Sequence, residues 1–222
     1  QDFAALLAEL DAAADAGASP GALSALELRA LVRFMSYTPP TTALLPVMLH
    51  EARAGNVAPL AALADSLIGD LADSLSFPMS NAVTCTEDVP FIAPEAAVGL
   101  ETTYLGTAMV EGLTGLCAAW PRGVIDEGFN TAVVSDTPVL LLSGEYDPIT
   151  PPAYAEQVKN AGLRNSVHVI GRQQGHGLAG VGCVPRILRA FIATPEPAEL
   201  DASCLAAEPP TPFFLTLLGP AP

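Results

Sequence analysis

The chemistry of this chain is concentrated in two residues, Asp147 in the segment Gly144-Glu145-Tyr146-Asp147-Pro148 and His176 between Gly175 and Gly177. A carboxylate that accepts a hydrogen bond from an imidazole Nδ1–H fixes the tautomer of the ring and stabilises the imidazolium. The other ring nitrogen is then free to take a proton from a nucleophile. Each residue alone has a plainer reading. An Asp before Pro is a common turn former, and a lone His in a Gly-rich loop is more often structural or solvated. The pair says more, because each member follows an apolar run that reads as a strand, with the acid ahead of the base. Pro148 and Pro151-Pro152 stiffen the Asp loop, and Thr150 is placed to hydrogen-bond the carboxylate or its loop. The glycines flanking His176 leave room for a substrate.

The elements that must position this pair form an α/β unit. Pro138-Val139-Leu140-Leu141-Leu142-Ser143 is a short continuous apolar run, the pattern of a parallel strand buried on both faces. After the turn, Pro151-Pro152 starts a helix to about Ala161, and Ser166 to Ile170 is a second apolar strand. A Gly-rich loop from Gly171 to Gly182 follows, and then a helix from about Val184 to Ala193. That order predicts an α/β fold, and in open sheets of this kind functional groups gather at the carboxyl ends of the strands. The tail after Thr194 is Pro-rich and reads as irregular.

The residues ahead of this unit read as helices. Phe3, Leu6, Leu7 and Leu10 recur at helical spacing. Ser19-Pro20 opens a second helix carrying Leu23, Leu26, Leu28 and Leu31, and Pro39-Pro40 breaks it. A third covers Leu44 to Ala54, closed by Gly55-Asn56, and a fourth runs from Pro59 to Leu75 with Leu60, Leu63, Leu67 and Leu71. Ala82 to Cys85 fits a strand or a helix end. A further helical stretch from about Pro94 to Ala119 stops at Trp120-Pro121-Arg122-Gly123. Short helices joined by Pro/Gly turns, with no strand between them, predict a helical cap over residues 1–130, followed by an α/β part over 131–222.

Composition narrows the partners. Against 24 Asp and Glu stand 9 Lys and Arg, a net charge of −15, so the basic stripe that a nucleic acid would require is lacking. An anionic membrane surface is disfavoured for the same reason. Half the residues are hydrophobic and 15% are charged, enough for a buried core. The longest stretch without Asp, Glu, Lys or Arg, Phe34 to His50, is interrupted by Pro39, Pro40 and Pro46 and does not read as a membrane span. Gln1 is not an initiator Met, and Asp2 to Leu10 reads as an amphipathic helix rather than a signal peptide, so a mature product or a fragment is expected.

Cysteines 85, 117, 183 and 204 show no C-x-x-C spacing, which argues against a zinc site. His50 and His168 are isolated, and His168 in its apolar strand reads as a packed or edge residue. No metal and no cofactor are expected. The even cysteine count fits either free buried thiols or two bridges.

The text PVLLLSGEYDPITPP at 138–152, GHG at 175–177, the helix after Cys183 and LDASC ending at Cys204 resembles the C-terminal region of α/β-hydrolases related to tripeptidyl and prolyl aminopeptidases. LLPVMLHEARAGNVAPL at 44–60, VTCTEDVPF at 83–91 and CAAWPRG at 117–123 carry the likeness over nearly the whole chain. The resemblance implies that Asp147 and His176 are the acid and base of a Ser-His-Asp triad, in the family's order of nucleophile, acid, base. It implies that residues 1 to about 130 form a lid over the active site. It further implies disulfides Cys85–Cys117 and Cys183–Cys204, which would place the parent protein in a periplasm or outside the cell. Glu87, beside Asp88, is the matching candidate for a lid carboxylate that holds the free α-amino group of a peptide, against the plainer reading of a solvated or capping acid.

One departure is large. The family's nucleophile lies in a G-x-S-x-G elbow, and none of the serines at 19, 24, 36, 66, 74, 76, 80, 135, 143, 166 and 203 has both glycines. Its expected place is N-terminal to the lid, before Gln1. The expectation is therefore the lid and C-terminal part of a larger serine hydrolase, an exopeptidase acting on peptide N-termini. By itself it would be inactive, and its partners would be a peptide or small ester substrate and the N-terminal half of the same enzyme. An esterase or lipase-like enzyme and a non-catalytic binding module are the alternatives. Strands without their neighbours would leave bare edges and favour association.

Overall fold

A computed structural model describes residues 2–15, 23–207 and 209–219. Contacts divide the chain into two compact units, one of residues 3–31 and 56–130, the other of residues 32–55 and 131–222. Residues 32–55 fall in the second of these units.

The first unit is helical, with α1 (Asp2–Asp15), most of α2 (Ala25–Met35), α4 (Ala58–Ser74), α5 (Phe77–Val83) and α6 (Ala108–Ala119). The start of α2 is set by a reciprocal cap. The Ser24 N–H donates to Glu27 Oε2 at 2.7 Å, and the Glu27 N–H donates to Ser24 Oγ at 3.2 Å. The expected opening at Ser19-Pro20 lies outside the described residues. Ala25, Leu28, Leu31 and Met35 are buried along one face of α2, whereas Leu26, grouped with that face by sequence, is 60% exposed. Ala82 to Cys85 is a helix end, where α5 passes into one π-helical turn, Thr84–Asp88. The helix expected from Pro94 begins instead at Ala108. Ahead of it stand two 3-10 turns, Pro94–Ala97 and Leu100–Thr102, because Gly99 and Gly106 take positive φ and interrupt the α ladder. The disulfide Cys85–Cys117 joins the π turn to α6, inside a cluster of Val89, Ile92, Leu113 and Trp120.

The second unit holds α3 (Pro39–Arg53), β1 (Val139–Gly144), α7 (Pro152–Gly162), β2 (Ser166–Gly171) and α8 (Val184–Ala193). Pro39 and Pro40 do not break α2, which already ends at Met35. They form the first turn of α3, where a missing N–H costs nothing. β1 and β2 pair in parallel from Val139↔Ser166 to Gly144↔Gly171, joined through α7. The expectation that β1 is buried on both faces fails for Val139 to Leu142, which are only half-buried. Among the described residues the sheet has two strands, too few for neighbours to cover both faces. The core under the sheet is Val169, Leu178, Val184, Ile187 and Leu205, and the disulfide Cys183–Cys204 ties the tail to it. Among the described residues no helix is long and apolar enough to cross a membrane.

Candidate active site

β1 ends in a tight turn. The Asp147 N–H donates to the Gly144 carbonyl at 3.2 Å, and the Asp147 side chain folds back onto its own loop. Its Oδ1 accepts the backbone N–H groups of Ile149 at 2.8 Å and Thr150 at 2.9 Å, and its Oδ2 accepts the Thr150 hydroxyl at 2.9 Å. This is the turn chemistry that Asp favours, here with the side chain 4% exposed. Asp147 Oδ2 also lies 2.9 Å from His176 Nδ1. The two ends of the parallel strands thus bring together the residues the sequence singled out, and Thr150 bonds the carboxylate.

The loop carrying His176 is locked from several directions. The N–H groups of Glu145 and Tyr146 donate to the carbonyls of Gly171 and Gln174, both at 2.9 Å, tying the two loops together. The His176 N–H donates to the Tyr37 carbonyl at 2.6 Å, and the two rings meet edge to face with centroids 5.6 Å apart. Glycine is required at both contacts. A Cβ on Gly144 would stand 1.9 Å from the Gly175 carbonyl oxygen, and one on Gly175 would stand 2.1 Å from that of Tyr37.

Burial pushes the Asp147 carboxyl up. The N–H groups of Thr150 and Ile149, the His176 ring and the Thr150 hydroxyl outweigh it and hold the group below the usual carboxylate range. An ionised Asp147 can only accept, so the proton facing it sits on His176 Nδ1 and the lone pair on Nε2. The imidazole is 40% exposed. The arrangement is an imidazole held against a buried carboxylate.

Glu87, proposed from sequence, and His50, set aside as isolated, lie elsewhere. Glu87 belongs to the first unit, half-buried on the π turn two residues after Cys85. His50 is exposed on α3. Among the described residues no three His, Cys, Asp or Glu side chains converge as metal ligands.

His168, expected as a packed or edge residue, is packed. His168 is 1% exposed, with Nδ1 2.6 Å from Glu156 Oε1 on α7 and Nε2 2.9 Å from Ser143 Oγ on β1. Glu156 is held below the usual carboxylate range, chiefly by this hydrogen bond. Leu141 pairs with His168 and Ser143 with Ile170, so Ser143 and His168 share one face of the sheet. The signal was available: polar residues at facing positions of two otherwise apolar strands must satisfy each other.

A parallel β-α-β unit with a carboxylate and an imidazole at adjacent strand ends fits the α/β class. Residues 102–204 match the family model described as TAP-like protein, which supports a TAP-like α/β-hydrolase region over that span. The matched span includes Asp147, Thr150 and His176. No curated protein and no solved structure matches the chain.

Proposed function

We propose that this chain supplies the acid and base of a Ser-His-Asp relay in a serine hydrolase, an exopeptidase that acts on peptide N-termini. The observation that carries the reading is the 2.9 Å contact between His176 Nδ1 and the buried Asp147 carboxylate at the ends of parallel strands. His176 Nε2 deprotonates a serine hydroxyl and then protonates the leaving amine, while Asp147 orients the ring and stabilises its charge. The serine is supplied by a segment outside residues 1–222, since no G-x-S-x-G occurs here, and the chain alone does not turn over substrate. The helical residues up to about 130 act as the lid, and Glu87 holds the free α-amino group of the peptide. The two disulfides, in the pairing expected from the family, support an oxidising compartment, the periplasm or the exterior.

The test begins with the coding sequence upstream of Gln1, where an in-frame strand followed by G-x-S-x-G is expected. The protein extended by that segment should cleave aminoacyl or peptidyl anilides with a free amine. His176→Ala should lower kcat by orders of magnitude. Cleavage of simple esters alone would replace the exopeptidase with an esterase. Turnover unchanged in His176→Ala would refute the relay.

A further inference from the structure

The second unit carries a cavity of about 370 Å³ walled by the two loops that hold the Asp147–His176 pair, through Tyr146 and Gly175. Its other walls are the start of α3, with Pro39 and Ala43, and the tail, with Phe213. The tail is pinned there, because the Phe214 N–H donates to the Ala43 carbonyl at 3.1 Å.

The chemistry of the lining is one-sided. No residue lining it carries a charge at neutral pH. Two of its hydroxyls are engaged: Ser36 Oγ donates to the Arg33 carbonyl at 2.6 Å, and Thr42 Oγ1 to the carbonyls of Met35 at 3.0 Å and Thr38 at 2.9 Å; Tyr146, Thr211 and Gln173 add neutral polar groups. Most of the lining is methyl, pyrrolidine and aromatic surface. Tyr146 and Phe213 remain 67% and 60% exposed at this site. The volume is near the bottom of the roughly 300–1,000 Å³ typical of small-molecule sites, enough for one side chain and its adjoining backbone but not for an extended peptide.

We infer that this cavity is a substrate subsite that takes one uncharged, apolar side chain of the peptide next to the bond being cleaved. The inference rests on the relay reading of Asp147 and His176, because only then does a pocket walled by their loops border the reaction. A charged side chain is disfavoured, since no lining residue offers it an opposite charge.

The 222-residue chain tests this directly by ¹⁵N–¹H NMR titration with N-acetyl-leucinamide and N-acetyl-lysinamide. The leucine probe should shift the amides of Ala43, Tyr146 and Gly175 saturably, and the lysine probe should bind at least about tenfold more weakly. Phe213→Ala, on an exposed wall and harmless to folding, should weaken the leucine probe about tenfold. Equal binding of both probes, shifts that map elsewhere, or an unchanged Phe213→Ala would overturn the subsite. So would binding to this chain that disappears in the protein extended by its nucleophile-bearing segment, since the cavity would then be a packing surface for that segment. The relay is read separately, from the ring-nitrogen shifts of His176 without probe. Leucine binding with a ring that ignores Asp147 would sink the relay while leaving the cavity a binding site.

Discussion

Replacing Asp147 by Asn isolates the charge from the shape. The carboxylate accepts four hydrogen bonds, two from backbone N–H groups on Oδ1 and two from Thr150 Oγ1 and His176 Nδ1 on Oδ2. An amide keeps the oxygen facing the backbone, so those two bonds survive as neutral ones. Bonds to a charged group are worth about 1.5–3 kcal/mol and neutral ones about 0.5–1.5 kcal/mol. Losing roughly 1 kcal/mol at each gives a destabilisation of about 2 kcal/mol. The amide nitrogen now donates where Oδ2 accepted, so the His176 proton must move from Nδ1 to Nε2. The folded carboxyl lies below its unfolded value of about 3.9. The stabilisation is therefore complete above that value and is lost as the pH falls through the folded one. Urea unfolding from pH 7 down to pH 3, with ¹⁵N imidazole shifts at neutral pH, reads both effects. The gap between wild type and Asp147→Asn should be constant above about pH 5 and should close in acid. A gap that persists in acid, or a His176 ring that keeps its tautomer, would refute the reasoning.

Gly144→Ala puts a methyl into the Gly175 carbonyl, so it should cost about 1–3 kcal/mol and shift the His176 amide and ring resonances. A variant that is stable with His176 unmoved would show that the loops are not in contact. His168→Leu leaves the buried Ser143 hydroxyl without its partner and should cost about 1–3 kcal/mol, part of which returns in the Ser143→Ala, His168→Leu double variant, measured by a denaturation cycle. Removing the Cys183–Cys204 bridge by double Ala substitution should destabilise the second unit by about 2–4 kcal/mol, seen as a lower denaturation midpoint under non-reducing conditions.

What could be read from the sequence was what is local. β1, α7, β2 and α8 lie within a residue or two of their expected bounds, because each is an apolar run or amphipathic stretch closed by Gly or Pro. Asp147 and His176 followed from being just beyond two such runs. What was not legible depends on distant backbone. Nothing in the text of Tyr37 announces that its carbonyl receives the His176 N–H, and nothing in residues 210–213 that they wall a cavity with α3. These contacts join segments more than 130 residues apart without periodicity. His168 was legible as a packed residue, but its partners Ser143 and Glu156 were not, because a strand pattern scored only for apolarity passes over a polar pair on one face.

The hydrogen bonds to Asp147 divide unequally, and the division bears on how such a site is assembled. Three of the four come from Ile149 and Thr150 in its own turn, so the acid is set by a stretch of four residues and needs only β1 as an anchor. The base is set otherwise. His176 depends on loop-to-loop backbone bonds, on two glycines that permit close approach, and on the Tyr37 carbonyl. On the proposed function, a relay loses rate steeply when its base moves by about an ångström, so more contacts to His176 than to Asp147 from distant segments are expected. On the proposed function, the segment that brings the serine meets a base already aimed and an acid already ionised. It then has to deliver only the hydroxyl and the donors that stabilise the oxyanion.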